Sequence, residues 1–384
     1  MYDGYKAILM LEDGSIFKGI GFGYPSTVVG EVVFNTGMVG YTEALTDPSY
    51  KGQMLCLTYP LVGNYGVPSY DVKDDYNLPR FFESDSIKAS ALIIHELSPY
   101  ASHYLANYTL DEWLYNERIP GIYGIDTREL TKRLRVKGVM MGILAISSRH
   151  DKDIDIDELR RVLRDTERYD DINFVEQVST MNAIEYRVDN SIKESSKGNV
   201  VLIDTGTKYS IIRNILRTGY NVVRLPYNVS ISKVLSYNPK GVLLSNGPGD
   251  PKHCKDTIDL AKELLDMDIP VLGICLGNQI LALAAGADTY KLQYGHRGQN
   301  KPCLNLIDKR CYITSQNHGY CVKPDSLQGT GFNIWFKNAD DGTVEGIIHK
   351  DKPIIAVQFH PEAAPGPYDC QYIFDTFAEL MEGG

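Results

Sequence analysis

Short apolar runs separated by glycine-containing turns dominate the first 150 residues of the chain. The turn at Glu12-Asp-Gly14 is typical, because aspartate and glycine favour the backbone angles that reverse a chain. Runs of this length predict strands that pair as hairpins or close into a small β-barrel. Two helices are predicted beside them, one opened by a capping box of Thr109 and Glu112 and one ending at Gly138. The predicted strands cover residues 7–11, 31–34, 54–58 and 140–146.

After residue 198 the pattern changes to apolar strands that alternate with helices. Such alternation is typical of parallel strands covered by helices on both faces, so it predicts an α/β fold with a doubly wound, mostly parallel sheet. The intervening residues are charged, with an amphipathic helix near residues 156–163 and a polar tract at 191–198. We therefore predict a smaller β-rich α+β domain at residues 1–149, a linker with a connecting helix at 150–198, and the α/β domain at 199–384.

Composition argues against several classes of partner. The 384 residues include 39 basic and 49 acidic side chains, a net charge of −10, and no Lys/Arg cluster, so no nucleic-acid binding is predicted. The longest apolar stretch, residues 269–287, is interrupted by Pro270 and several glycines and is not predicted to span a membrane. Seven cysteines without a C-x-x-C pair, behind an N-terminus (residues 1–4) unlike a signal peptide, predict a reducing compartment, with the cytoplasm as the default.

One cysteine is distinguished by its neighbours. Cys275 follows an apolar run and lies between Gly273 and Gly277, the sulfur counterpart of the G-x-S-x-G turn that exposes a nucleophile between a strand and a helix. At the start of a helix, backbone N–H groups and the helix dipole favour a thiolate, which is a competent acyl acceptor. The motif alone is equally compatible with a buried strand in which the cysteine packs as a small apolar side chain.

A base for such a nucleophile occurs near the C-terminus. The apolar run at residues 354–359 ends in His360-Pro-Glu362, so both polar side chains leave one strand end on the same side. A histidine oriented by a carboxylate can take the proton of a thiol and deliver it to a leaving amine. A single histidine at a strand end is more often structural, and it is the combination with Cys275 that favours a catalytic triad.

With these residues in place, the chain resembles the class I (triad) glutamine amidotransferases, whose cysteine lies in a G-x-C-x-G turn and is followed in the sequence by histidine and glutamate. Asn-Gly-Pro-Gly at residues 246–249 matches the loop before the nucleophile in that family. Further segments are similar to the family of carbamoyl-phosphate synthetase small subunits, and that resemblance covers nearly the whole chain. They are residues 30–50, Gly124-Ile-Asp-Thr-Arg-Glu-Leu-Thr131, Ser315-Gln-Asn-His-Gly-Tyr320 and residues 360–367.

The resemblance implies hydrolysis of L-glutamine to glutamate and ammonia through a γ-glutamyl thioester on Cys275, with His360 and Glu362 as its triad partners. Backbone N–H groups of Leu276 and Gly249 would form the oxyanion hole, where one donor typically contributes about 3 to 4 kcal/mol. By the same resemblance, the glutamine-binding residues are Ser49, Gly247, Gly249, Leu276, Gln279, Asn317, Gly319 and Tyr320.

The resemblance also implies a partner. Ammonia would pass to a large synthetase subunit that makes carbamoyl phosphate with ATP, Mg²⁺ and bicarbonate, in a heterodimer or a higher oligomer built from it. No cofactor is expected on this chain, and the product could serve arginine or pyrimidine synthesis. Two alternatives remain open: an amidohydrolase that acts alone or serves another synthetase, and a catalytically inactive scaffold for the large subunit.

Two further features were weighed. Cys303, Cys311 and Cys321, with His296 and His318, have spacings that match no zinc motif, so no metal site is predicted. The residue before Gln279 is asparagine, whereas many relatives have histidine there. Asn278 therefore removes a second titratable group near Cys275.

Overall fold

The computed structural model describes residues 5–147, 153–188 and 196–383. The chain divides into two compact units, the first comprising Met1–Lys73 with Pro79–Ile172 and the second Asp74–Leu78 with Asn173–Gly384. The segment predicted as a linker is thus shared, since its described residues up to 172 belong to the first unit and the later ones to the second. The N-terminal tetrapeptide and residues 191–195 of the polar tract lie outside the described residues.

The N-terminal unit contains the predicted strands and both predicted helices. Thr109 and Glu112 form the capping box, with the Glu112 backbone N–H donating to Thr109 Oγ1 over 3.2 Å, and Gly138 ends its helix at φ 95°. The strands are β1 Tyr5–Leu11, β2 Ile16–Gly23, β3 Thr27–Asn35, β4 Gln53–Leu57, β5 Leu61–Val62, β6 Ala91–Ile93, β7 Glu96–Leu97, β8 Pro120–Tyr123 and β9 Met140–Ile146. The helices are α1 Tyr41–Thr46, α2 Leu110–Asn116, α3 Thr127–Lys137 and α4 Ile156–Asp165.

Seven of these strands close into a barrel in the order β1-β2-β8-β6-β4-β3-β9 within the described residues. The barrel strands bury apolar side chains on both faces, since the register places Leu9 and Leu144 on one face and Val33 and Leu55 on the other, and all four are fully buried. A closed barrel leaves no unpaired strand edge, which explains how short strands form a stable sheet. The β-rich N-terminal part of the prediction is therefore confirmed.

The C-terminal unit alternates strands and helices through its first part and then continues as strands. Its strands are β10 Ile184–Tyr186, β11 Asn199–Asp204, β12 Asn221–Pro226, β13 Pro239–Leu244, β14 Val271–Ile274, β15 Thr289–Asn305, β16 Cys311–Val322, β17 Phe332–Asn338, β18 Val344–His349 and β19 Ile354–Val357. Its helices are α5 Tyr209–Arg217, α6 Ile231–Leu235, α7 Lys255–Leu265, α8 Leu276–Ala284 and α9 Tyr372–Glu382.

These strands form one sheet, which in the described residues has ten strands in the order β10-β12-β11-β13-β14-β19-β18-β17-β15-β16. Strands β12, β11, β13, β14 and β19 are parallel, whereas the pairs from β19 through β18, β17 and β15 to β16 are antiparallel. The prediction of a mostly parallel sheet was therefore wrong for this half. Short turns such as Asp340-Asp-Gly342 cannot accommodate the crossover that parallel neighbours require.

The parallel strands are buried on both faces. Val201 and Ile203 of β11 face a core that includes side chains of α7 and α8, while Val200 and Leu202 face a second core that includes side chains of α5 and α9. The carboxyl ends of β11, β13, β14 and β19 meet at one edge of the sheet, because these neighbouring strands run in the same direction. In α/β sheets this edge is where ligands bind.

Across the described ranges, no helix combines the length and the apolar character needed to cross a lipid bilayer.

Candidate active site

Cys275 occupies the turn between β14 and α8 and has a left-handed backbone, with φ 53° and ψ −100°. A non-glycine residue is strained there, and such strain is maintained only where surrounding structure enforces it. The Cys275 N–H donates to the Val357 carbonyl over 2.8 Å, which ties the turn to β19. A Cβ added to Gly277 would lie 2.1 Å from the Leu244 carbonyl oxygen, so only glycine allows the helix to start this close to β13. The predicted strand–cysteine–helix turn is confirmed.

His360 and Glu362 lie just beyond β19, the strand next to β14. The His360 Nδ1–H donates to Glu362 Oε1 over 2.6 Å, and both residues are buried. Lys208, at the entry to α5, places its Nζ 3.0 Å from the same carboxylate oxygen. The histidine and glutamate predicted as partners are thus paired, and a buried lysine completes the ion pair.

The charges of this group determine its protonation. Burial alone would lower the pKa of His360, but attraction to Glu362, followed by the interaction with Cys275, outweighs it and raises the pKa to about 10. Burial alone would raise the pKa of Glu362, but Lys208 and then His360 lower it to about 2. At neutral pH the histidine is therefore an imidazolium held by a carboxylate, a group that can stabilise a thiolate and then protonate a leaving amine.

The sulfur of Cys275 is buried between polar groups. It lies 3.7 Å from the Asn317 carbonyl oxygen and 3.6 Å from the side-chain nitrogen of Gln358. Asn317 belongs to β16, which is brought to this edge by a bridge between Ser315 and His360, where the His360 N–H donates to the Ser315 carbonyl over 2.9 Å. The antiparallel half of the sheet therefore reaches the nucleophile through β16.

The next residues of β16 are fixed from two sides. The Tyr320 carbonyl accepts one hydrogen bond from Gln279 Nε2 and one from His318 Nδ1, each 2.8 Å long. Gln279 lies in the first turn of α8, immediately after the nucleophile. Three of the predicted glutamine-binding residues, Gln279, Asn317 and Tyr320, are thus brought together around Cys275, with Gly319 between the last two.

The loop after β13 approaches the turn from the other side. A Cβ on Gly247 would lie 2.1 Å from the Thr205 carbonyl oxygen, so this position needs glycine for the loop to fit against the end of β11. Gly249 has a left-handed φ of 89°, and Leu276 is the first residue of α8, where helix N–H groups have no acceptor within the helix. The loop and the helix start thus lie side by side at the carboxyl edge, since a Cβ on Gly247 would also lie 2.7 Å from the Leu276 side chain.

Comparison with known proteins places both halves of the chain in one family. Residues 201–380 match the family model described as Glutamine amidotransferase class-I, and residues 9–144 match Carbamoyl-phosphate synthase small chain, CPSase domain. A carbamoyl phosphate synthase small chain of Pyrococcus furiosus is 46% identical over 379 residues, with 98% of each chain covered. The chain belongs to the carbamoyl-phosphate synthase small-chain family. The one of Methanopyrus kandleri is 45% identical, covering 98% of this chain and 99% of that one.

The match extends to a relative with a pathway in its name. The carbamoyl phosphate synthase arginine-specific small chain of Neurospora crassa is 43% identical, over 99% of this small chain and 80% of that protein. The family assignment therefore rests on the N-terminal half of the chain as well as on the amidotransferase domain.

Ser49 is the one predicted glutamine-binding residue that lies in the N-terminal unit. It is buried in a short 3₁₀ helix, Pro48–Tyr50, and its backbone N–H donates to Asp47 Oδ1 over 2.9 Å. Its part in glutamine binding stays a prediction.

The cysteines and histidines considered for a metal site do not form one cluster in the structure. His296 and His318 gather with Glu345 rather than with cysteines, and their ligand atoms lie within 4.8 Å of one another. His296 already bonds Glu345 through Nδ1 and Asp341 through Nε2, and these carboxylates outweigh burial and raise its pKa. Burial, with the neighbouring His296, lowers the pKa of His318 well below its usual range. The group is a hydrogen-bonded carboxylate–imidazole cluster behind β16, and the absence of a metal stays a prediction.

Two residues that contact the proposed triad were missed by sequence reasoning. Lys208 lies in the segment Asp204-Thr-Gly-Thr-Lys208, which begins at the last residue of β11 and was not expected to touch the triad, but it pairs with Glu362 from a distant part of the chain. Gln358 lies two residues before His360 and contacts the sulfur of Cys275. A polar residue at the end of an apolar strand, on the same side as the base, was the signal that could have found it.

Proposed function

We propose that this chain is the glutaminase subunit of a carbamoyl-phosphate synthetase, and that Cys275 hydrolyses L-glutamine to glutamate and ammonia. The observation that carries the proposal is the strained, buried Cys275 at the edge where the His360–Glu362 ion pair lies, in a chain that matches the small-chain family over 98% of its length. A structural cysteine needs neither a strained backbone nor a charged histidine beside it.

The proposed reaction has two stages. The Cys275 thiolate attacks the γ-carbonyl of glutamine, and the oxyanion that forms is held by the backbone N–H groups of Leu276 and Gly249. The tetrahedral intermediate then collapses, the C–N bond breaks, and the His360 imidazolium gives its proton to the departing ammonia. Water adds to the thioester with His360 as base, the C–S bond breaks, and glutamate leaves. Glu362 stays ionised throughout because Lys208 and His360 stabilise its charge.

The substrate is held by groups on both sides of the sulfur. Asn317, Gly319 and Tyr320 on β16 form one side, while Gly247 and Gly249 form the other. Gln279 reaches across from α8 to β16, and Ser49 of the N-terminal unit is proposed to bind the α-carboxylate or α-amino end of glutamine. These groups are polar, as the zwitterionic end of the substrate requires.

Ammonia is proposed to pass to a large synthetase subunit, which forms carbamoyl phosphate with ATP, Mg²⁺ and bicarbonate and associates with this chain as a heterodimer or a larger assembly. The N-terminal domain matched by the small-chain model supports this partner, because that match lies outside the amidotransferase domain. No cofactor is assigned to this chain. The cytoplasm and the choice between arginine and pyrimidine synthesis remain predictions.

The test compares wild type with Cys275→Ser, each alone and with the large subunit, for glutamate release and carbamoyl phosphate formation. We expect the partner to stimulate wild-type glutaminase. Cys275→Ser should lose glutamine-dependent activity by about a thousandfold or more while ammonia-dependent synthesis persists.

The same assay separates the alternatives. Equal activity of wild type and variant would show that Cys275 is structural and would favour the scaffold function. Full glutaminase activity that no large subunit changes would favour an amidohydrolase that acts alone.

A further inference from the structure

Three buried amide side chains form a connected group on the side of α8 and β19, and one of them, Gln358, contacts the sulfur of Cys275. Gln358 follows the last residue of β19 and is fully buried, and its backbone N–H donates to the Glu345 carbonyl over 2.8 Å. Asn278 and Gln279, in the first turn of α8, are buried beside it. None of the three carries a charge, and each can both donate and accept hydrogen bonds.

The direction of each amide can be worked out from a fixed point. The Tyr320 carbonyl can only accept hydrogen bonds, so the Gln279 group 2.8 Å from it is the NH₂. That NH₂ also lies 3.1 Å from one end of the Gln358 amide, which must then be the carbonyl oxygen. Because backbone geometry starts this chain of assignments, the ambiguity between amide oxygen and nitrogen does not arise.

A second donor adds to the same arrangement. Asn278 Nδ2 donates to Gln358 Oε1 over 3.1 Å, so the Gln358 oxygen accepts two hydrogen bonds. Turning the Gln358 amide over would set its NH₂ against the NH₂ of Gln279, whose direction the Tyr320 carbonyl fixes, and would lose that bond in a buried site. The remaining direction is fixed: the Gln358 NH₂ lies 3.6 Å from Cys275 Sγ, a normal length for a hydrogen bond to sulfur.

We propose that Gln358 is a further catalytic residue of the glutaminase reaction, an N–H donor to the sulfur of Cys275 that Asn278 and Gln279 hold in place. The proposal rests on the proposed function for its catalytic meaning. A neutral thiol is a weak acceptor, whereas a thiolate accepts a charge-assisted hydrogen bond that is roughly twice as strong. A donor pre-oriented in a buried site therefore stabilises the thiolate more than the thiol.

The donor acts at two points of the cycle. Before attack it stabilises the thiolate that adds to the substrate carbonyl. During hydrolysis of the thioester, the C–S bond breaks and its electron pair returns to sulfur, where the same N–H donates a hydrogen bond to the developing negative charge. In the thioester, between these two points, the sulfur is neutral and the hydrogen bond from Gln358 is weaker. The hydrogen bond is therefore stronger in the transition state of thioester hydrolysis than in the thioester itself, and such a difference accelerates that step.

The test measures the sulfur directly. The rate of iodoacetamide alkylation of the Cys275 peptide is followed by mass spectrometry from pH 5 to pH 10 in full-length wild type, Gln358→Glu and Gln358→Met. We expect the half-maximal pH of alkylation to rise by about one pH unit or more in Gln358→Glu, because a carboxylate repels the thiolate. Gln358→Met, which removes the donor without adding charge, should shift it about half as far.

The matched control is Gln328→Glu, which adds the same charge at an exposed position and should leave the profile unchanged. Profiles of both Gln358 variants that coincide with wild type would overturn the proposal. If Gln358→Glu does not fold, as judged by circular dichroism, Gln358→Met alone decides, and an unchanged profile for it is equally fatal.

Glutamine hydrolysis by the same samples separates this proposal from the proposed function. We expect Gln358→Met to lower kcat about tenfold with little change in KM, because the donor acts on the sulfur and not on the substrate. Wild type that hydrolyses glutamine, with variants that alkylate and turn over normally, refutes only the role of Gln358. Wild type that hydrolyses none, even with a large subunit, refutes the proposed function, whereas the alkylation profiles still report on the sulfur.

Discussion

The two halves of the C-terminal sheet differ in what they contribute to the site. The parallel half, β11 to β14 with β19, places Cys275, His360 and Glu362, the proposed reacting groups, at its carboxyl ends. The antiparallel half, β15 to β18, supplies a long hairpin whose second strand contacts the sulfur of Cys275. Under the proposed function, we expect catalysis at the short strand ends and substrate recognition on the hairpin.

The two halves of the sheet also differ in what holds their residues in position. Residues at parallel strand ends are fixed by strands buried on both faces, as in Val271–Ile274, so their positions hardly depend on their own side chains. The hairpin strand depends on individual side-chain contacts, such as those from Gln279 and His318 to the Tyr320 carbonyl. We therefore expect changes in the parallel half to alter kcat and changes in the antiparallel half to alter KM.

The largest effect is expected for Glu362→Gln. The variant keeps the shape but removes the carboxylate that accepts from His360 Nδ1 and pairs with Lys208, so the pKa of His360 falls from about 10 and a buried lysine loses its partner. We expect kcat to fall by about three orders of magnitude with KM changed less than about threefold. Steady-state glutaminase kinetics check this. A kcat within tenfold of wild type would contradict the expectation that the parallel half of the sheet controls kcat.

A smaller effect on kcat, with a pH signature, is expected for Lys208→Met. The pKa of Glu362, about 2, gives an ion pair whose stabilisation is present above the pKa of an unfolded glutamate, 4.5, and is lost as pH falls through 2. Without Lys208 that pKa rises, so activity that needs the ionised carboxylate should be lost at a higher pH, and the stabilisation by Glu362 should already be smaller at neutral pH. We expect kcat at pH 7 to fall about tenfold.

The measurement is a pH–rate profile together with urea unfolding at pH 4 and pH 7. The loss of stability relative to wild type should be full at pH 7 and smaller at pH 4, because protonation of Glu362 in the variant relieves the unpaired buried charge. A profile whose acid side coincides with that of wild type would show that Lys208 does not control Glu362.

The smallest effect, and one on KM, is expected for Glu345→Gln in the antiparallel half. The Glu345 carboxylate accepts from His296 Nδ1 and Asn338 Nδ2, at 3.2 Å each, behind β16. Loosening this cluster should raise KM for glutamine about tenfold and change kcat less than about threefold. Glu379→Gln, an exposed position on α9, is the matched control and should behave as wild type. A fall in kcat without a change in KM would reverse the proposed division of roles.

Much of this architecture could be predicted from local sequence. The G-x-C-x-G turn, the His-Pro-Glu strand end and the capping box of Thr109 and Glu112 each depend on residues within a few positions of one another. Apolar runs likewise marked β11, β13 and β14, because strands buried on both faces need continuous apolar side chains. Features that depend on residues close together in the sequence can therefore be predicted from the sequence.

Strand direction in the second half of the sheet was not readable in this way. An apolar run predicts a strand but carries no information on which neighbour it pairs with or in which direction, and only the short turns after β15 and β17 decide that. The same reasoning applies to the two compact units, whose division falls at Ile172 and also assigns Asp74–Leu78 to the second.

By itself, the sequence determined the tight turn of Gly273-Ile-Cys275-Leu-Gly277 and the His-Pro-Glu strand end from which a nucleophile and its base are predicted, because these depend on covalent neighbours and backbone sterics. The tertiary structure alone decided that Lys208 pairs with Glu362 and that the Gln358 amide contacts Cys275. Those contacts join residues 154 and 83 positions apart, and burial in a site with little water is what gives them their strength. No local pattern encodes such contacts.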